Sequence, residues 1–158
     1  MTYEQFIESK TQLGADGGFE PTFMPDFLFD FQKHLVQWAV RKGRAAIFAD
    51  CGLGKTAMQL VWAQNIVEKT NKPVLILTPL AVAVQTISEA TKFGIEAKFC
   101  RKQGDCESGI TVANYEMLHE FDPSKFSGVV LDESSILKSF MGKRKRQILD
   151  LFKDAKYK

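Results

Sequence analysis

Backbone N–H groups can converge on a phosphate only where side chains do not crowd them, so glycines followed by Lys and a hydroxyl residue at a helix start suit that task. The segment Ala49-Asp50-Cys51-Gly52-Leu53-Gly54-Lys55-Thr56 has this form. Gly52, Leu53 and Gly54 would supply the loop, Lys55 would reach the β and γ phosphates, and the Thr56 hydroxyl would ligate Mg²⁺. The strict pattern begins with Gly, and here Ala49 stands in that place. Far along the chain, Asp132 and Glu133 directly follow the apolar run Val129-Val130-Leu131. One carboxylate of such a pair can hold Mg²⁺ through its waters while the other orients and deprotonates an attacking water, as phosphoryl transfer to water requires. Asp132 and Thr56 are therefore the candidate metal residues, and Glu133 and Lys55 the candidate catalytic ones.

Both groups need elements that hold them still. From Pro25 onward, Leu28, Phe31, Leu35, Trp38 and Ala39 share one face of a predicted helix that ends at Gly43. Residues 45–49 read as a short buried strand leading into the glycine loop. A second helix is predicted over residues 55–69, with Met58, Val61, Trp62 and Ile66 at helical spacing and no interior Gly or Pro. The continuous apolar run Val74-Leu75-Ile76-Leu77 suits a strand covered on both faces. A helix over 81–93, strands at 97–100 and 110–113, a helical turn near 115–118 and a buried strand at 128–131 follow. The last helix is expected over 143–152, burying Ile148, Leu151 and Phe152. Tyr3, Phe6, Ile7 and Leu13 suggest one more short amphipathic helix at the start. Apolar strands alternating with helices give an α/β domain with a mostly parallel sheet, in which ligands bind beyond the carboxyl ends of the strands.

Composition sets the limits. A chain of 158 residues, 45% hydrophobic and 25% charged, has the makeup of one ordinary globular domain. No apolar run approaches the roughly 20 residues that cross a bilayer. The first ten residues lack the basic start and apolar centre of a secretion signal, so the expected location is the cytoplasm. Cys51, Cys100 and Cys106 are odd in number and irregular in spacing, which favours free thiols over disulfides. The net charge of +2 conceals a basic tail: residues 138–158 carry eight Lys or Arg against Asp150 and Asp154. Such a patch can hold nucleic-acid phosphates or can be a solvated helix face.

The motifs in combination resemble superfamily 2 helicases, over about residues 26–155. Ala49 is the usual residue at the start of motif I in that family, and Asp132-Glu133-Ser134-Ser135 is similar to its motif II. The longer string Leu131-Asp132-Glu133-Ser134-Ser135-Ile136-Leu137-Lys138 looks like the variant in Swi/Snf-like helicases of bacteriophages. Leu28-Phe29-Asp30-Phe31-Gln32 resembles the adenine-reading segment, with Gln32 as the cofactor-binding amide; the family often has Arg where Phe29 stands and His where Ser135 stands. Leu77-Thr78-Pro79-Leu80 looks like motif Ia, and Thr111-Val112-Ala113-Asn114-Tyr115-Glu116 the stretch before motif II, so Thr78, Pro79, Asn114 and Tyr115 are implied contacts to a nucleic-acid backbone.

The resemblance implies a three-layer RecA-like P-loop domain, with residues 1–25 an N-terminal extension and 26–158 the first lobe, ending before motif III. It implies ATP and Mg²⁺ as cofactors, nucleic acid as partner (DNA in preference to RNA), and a second RecA-like lobe without which hydrolysis is weak. A phage-encoded binding or inhibitor protein that keeps the lobe's surface without turnover is the alternative expectation.

Overall fold

The computed structural model describes residues 16–50, 52–106, 108–133, 138 and 142–158. The expected helix near the start, Cys51 and the Ser134-Ser135 pair lie outside these. The first described helix, α1 (Asp30–Lys42), ends as its glycine predicts: Gly43 adopts φ 75° and its N–H bonds the Ala39 carbonyl at 3.0 Å. Its buried stripe, Gln32, Val36, Ala39 and Val40, is rotated from the predicted one, and Phe31 and Trp38 are left half exposed. The reason is Gln32, a polar residue drawn inward by two hydrogen bonds described below.

Helix α2 (Lys55–Thr70) is buried along most of its circumference, including Leu60, Val61, Ala63 and Ile66. Asn65 within it is fully buried and saturated: its Oδ1 accepts the Thr22 and Phe23 N–H groups, and its Nδ2 donates to the Phe23 and Val61 carbonyls, all at 2.8–3.0 Å. One amide thus fastens the segment before α1 onto α2.

Four strands form an all-parallel sheet in the order β2-β3-β1-β4: β1 (Val74–Thr78), β2 (Ala97–Phe99), β3 (Ile110–Asn114) and β4 (Gly128–Leu131). Helix α3 (Leu80–Lys92) crosses from β1 to β2. Period-two alternation splits the core. Val74 and Ile76 pack with α1 and α2 on one face, while Leu75 and Leu77 pack on the other with Tyr115, Leu118, Phe126, Ile148 and Phe152. Ile148 and Phe152 come from the final helix, α4 (Gly142–Leu151), and the residue after it; Lys145 and Arg146 of that helix are exposed. Each fully buried Leu or Ile contributes roughly 1.5–3 kcal/mol, so the doubly covered strands β1 and β3 anchor the whole arrangement.

Residues 45–49 do not form the predicted strand. A strand needs a ladder partner, and β4 lies too far across to provide one. Tyr157 and Lys158 sit between them at one end. Tyr157 bridges Gly128 in parallel, the Val129 N–H donates to the Tyr157 carbonyl at 3.0 Å, the Ala45 N–H to the Lys158 carbonyl at 2.8 Å, and the Lys158 N–H to the Gly43 carbonyl at 2.9 Å. Beyond that rung, Ile47 and Phe48 face Val130 and Leu131 across a slot of about 530 Å³, and Phe48 is 95% exposed.

Candidate nucleotide-binding site

The glycine loop leads directly into α2. Gly52 and Gly54 have φ of 82° and 74°, the left-handed region that L side chains avoid. Gly54 is also the residue before the helix, and its carbonyl accepts the first helical bond, from the Met58 N–H at 3.2 Å. The N–H groups of Lys55, Thr56 and Ala57 therefore lack intrahelical partners, at the positive end of a 16-residue helix. An anion with several oxygens is the natural occupant of such a place.

Gln32 stands against the back of this loop and is 5% exposed. Its Nε2 donates to the Leu53 carbonyl at 2.9 Å and its Oε1 accepts the Phe29 N–H at 2.9 Å. The contact is so close that a Cβ added at Gly54 would overlap Gln32 Nε2. In this structure the amide joins the loop to the start of α1, and Phe29 beside it leaves its ring 69% exposed.

The acid pair reaches the loop from the end of β4. Lys55 Nζ and Glu133 Oε1 are 3.5 Å apart although 78 positions separate them in sequence. Glu133 carries φ 50°, one of two positive values among described non-glycine residues. A left-handed residue with a Cβ costs about 1–2 kcal/mol, offset here in part by its N–H donating to Asp132 Oδ1 at 3.0 Å. Asp132 itself is 6% exposed. Gln59 Nε2 donates to its Oδ1 at 2.8 Å and the Thr78 hydroxyl to its Oδ2 at 3.0 Å. Tyr115 donates its hydroxyl to the Asp132 carbonyl at 2.6 Å. Burial first, then the negative charges of Asp132 and Glu133, raise the Tyr115 pKa far above its ordinary value, so the phenol remains a donor.

The structure thus brings Gly52, Leu53, Gly54, Lys55, Gln32, Asp132 and Glu133 to one end of the sheet. Thr56 is partly buried on the first turn of α2, three residues before Gln59, whose side chain reaches Asp132. Thr78, Asn114 and Tyr115, expected to meet nucleic acid, have side chains at most 6% exposed, and two of them bond Asp132. Pro79 is partly buried, while Leu80 and Val84 just beyond it are 59% and 75% exposed. Gln59 escaped the sequence reading. Its signal was a lone polar residue one turn past Thr56, on a helix otherwise apolar toward the sheet.

Carboxylate and hydroxyl oxygens are the hard donors that Mg²⁺ takes. The Asp132 carboxylate accepts three hydrogen bonds here, from Gln59, Thr78 and the Glu133 backbone. With about four acceptor directions on a carboxylate, one remains for a metal-bound water, so the residues fit the ion.

No protein-family model matches the chain, and no curated protein matches it. Among solved structures, the UvsW helicase from bacteriophage T4 matches with a TM-score of 0.67 over 99% of this chain at 14% sequence identity. The chain spans 58% of the length of that helicase chain. At this identity the likeness is one of fold: a four-stranded all-parallel α/β domain with the architecture of a RecA-like helicase lobe.

Proposed function

We propose that the chain is the ATP-binding lobe of a superfamily 2 nucleic-acid-dependent ATPase. The observation that carries this reading is the meeting of Lys55 with Glu133 beside the glycine loop, at 3.5 Å. Gly52, Leu53 and Gly54 present backbone N–H groups to the phosphates, with Lys55 neutralising the β and γ oxygens. Thr56 and Asp132 would hold Mg²⁺, which when bound would offset the charge that develops on the phosphate oxygens. Glu133, 45% exposed at its side chain, is placed to accept a proton from water. Gln32 sets the loop against α1, and the adenine base lies toward Phe29.

A second lobe completes the site in this reading, since the matched helicase chain extends well beyond the aligned part. Arginine residues contributed across such a cleft can be worth about 10³–10⁵ in rate, so the lobe alone hydrolyses ATP weakly. Nucleic acid, DNA in preference to RNA, meets the surface around Pro79, Leu80 and Val84 and the exposed Lys145 and Arg146 of α4. Among the described residues no helix is long and apolar enough to cross a membrane, and the reading places the protein in the cytoplasm. Thermal melting with and without Mg-ADP tests the nucleotide assignment. The wild-type chain melts higher with Mg-ADP, and Lys55→Ala loses that rise; equal shifts in the two proteins would sink it.

A further inference from the structure

Of the two adjacent carboxylates, Glu133 pairs with Lys55, while Asp132 is held by its own backbone neighbour and by side-chain donors from two different elements. Gln59 of α2 holds Oδ1 and Thr78 of β1 holds Oδ2, so both oxygens are tethered and the plane of the carboxylate is fixed. The arrangement carries an unusual cost. Gln59 Oε1 is buried without a hydrogen-bond partner, because turning the amide to satisfy it would aim an oxygen at the carboxylate. A buried orphan acceptor disfavours folding, and the bond that accompanies it here is the one to Asp132.

We propose that Gln59 and Thr78 are positioning residues that set the Mg²⁺ affinity of the nucleotide site by locking the orientation of the Asp132 carboxylate. The proposal rests on the reading of Asp132 as a metal-holding residue. Mg²⁺ demands near-ideal octahedral geometry and keeps most of its waters, so a carboxylate free to rotate would hold that water shell poorly. Partners that orient metal-holding groups typically contribute about 10–100-fold to metal affinity.

The test is a titration of Mg²⁺ into the protein with a fluorescent (mant) ADP, with binding in EDTA as the reference. In Gln59→Leu and in the near-isosteric Thr78→Val, the half-saturating Mg²⁺ concentration rises about tenfold or more, while mant-ADP affinity in EDTA stays at the wild-type value. Thr78→Ser, which keeps the hydroxyl, stays within about threefold of wild type on the same scale of effects. Unchanged Mg²⁺ dependence in both Gln59→Leu and Thr78→Val overturns the lock and leaves the nucleotide site standing. Loss of mant-ADP binding in EDTA by Gln59→Leu also overturns it, by showing a role beyond Asp132. A wild-type chain that binds mant-ADP at no Mg²⁺ concentration overturns the nucleotide reading, and the lock with it.

Discussion

Alanine at Gly54 is expected to cost the fold far more than alanine at Gly52, although both glycines have positive φ. Each substitution incurs a left-handed penalty of about 1–2 kcal/mol. At Gly52 nothing lies near the added Cβ, so the cost ends there. At Gly54 the Cβ overlaps the Gln32 amide, which must leave its place. Gln32 then loses its bonds to Leu53 and Phe29, each worth about 0.5–1.5 kcal/mol net, in a site where the amide is 5% exposed. The sum for Gly54→Ala is about 2–5 kcal/mol against about 1–2 kcal/mol for Gly52→Ala. Urea unfolding of both variants, analysed for the midpoint at constant slope, measures the difference. A double-mutant cycle isolates its cause: with Gln32→Ala the overlap has no partner, so the double variant is more stable than the sum of the two singles by about 1 kcal/mol or more. Additive single effects, or equal costs at the two glycines, would refute the claim that Gln32 sets the loop.

Two further outcomes follow from neighbouring features. Glu133→Gln breaks the ion pair to Lys55, but with side chains 30% and 45% exposed the pair contributes less than about 1 kcal/mol; melting changes little and Mg-ADP still stabilises the variant, whereas loss of that stabilisation would remove Glu133 from the role of base. Cys100 is buried beside Cys106, and burial, then Cys106, raise its pKa from 9.0 to about 11. Because the folded value exceeds the unfolded one, the thiol's contribution is fully present below pH 9.0 and is lost as pH rises toward about 11. Wild type therefore loses melting temperature over that window more steeply than Cys100→Ala, and parallel pH profiles would contradict the assignment.

The glycine loop, the acid pair and the strands were legible because each is local: spacing, run length and the residue after an apolar run all survive without tertiary knowledge. Residues 45–49 were misread because strand structure depends on a neighbour, and among the described residues this stretch meets one only at Ala45, whose N–H bonds the Lys158 carbonyl. The rotated stripe of α1 has a different cause. Burial of Gln32 is decided by Leu53, more than twenty positions away, which no helical periodicity can report. Thr78 and Asn114 were read as following their strands and given an outward role, whereas they are the last residues of β1 and β3. In strands covered on both faces every residue is buried regardless of parity, as the continuous burial of β1 and β3 shows. A hydroxyl at the end of such a strand is therefore better matched with an internal acceptor than with an external ligand.

The rung made by Tyr157 and Lys158 bears on solution behaviour. β4 ends the sheet order among the described strands, and an edge strand offers unpaired N–H and C=O groups to any other chain that can lie alongside it. Tyr157 covers Gly128 and Val129, and Lys158 bonds backward to residues 43 and 45, so the edge is closed where it begins. Val130 and Leu131 line the slot together with Phe48. Tyr157 and Lys158 thereby cover the first part of an edge that would otherwise be open to strand pairing between molecules.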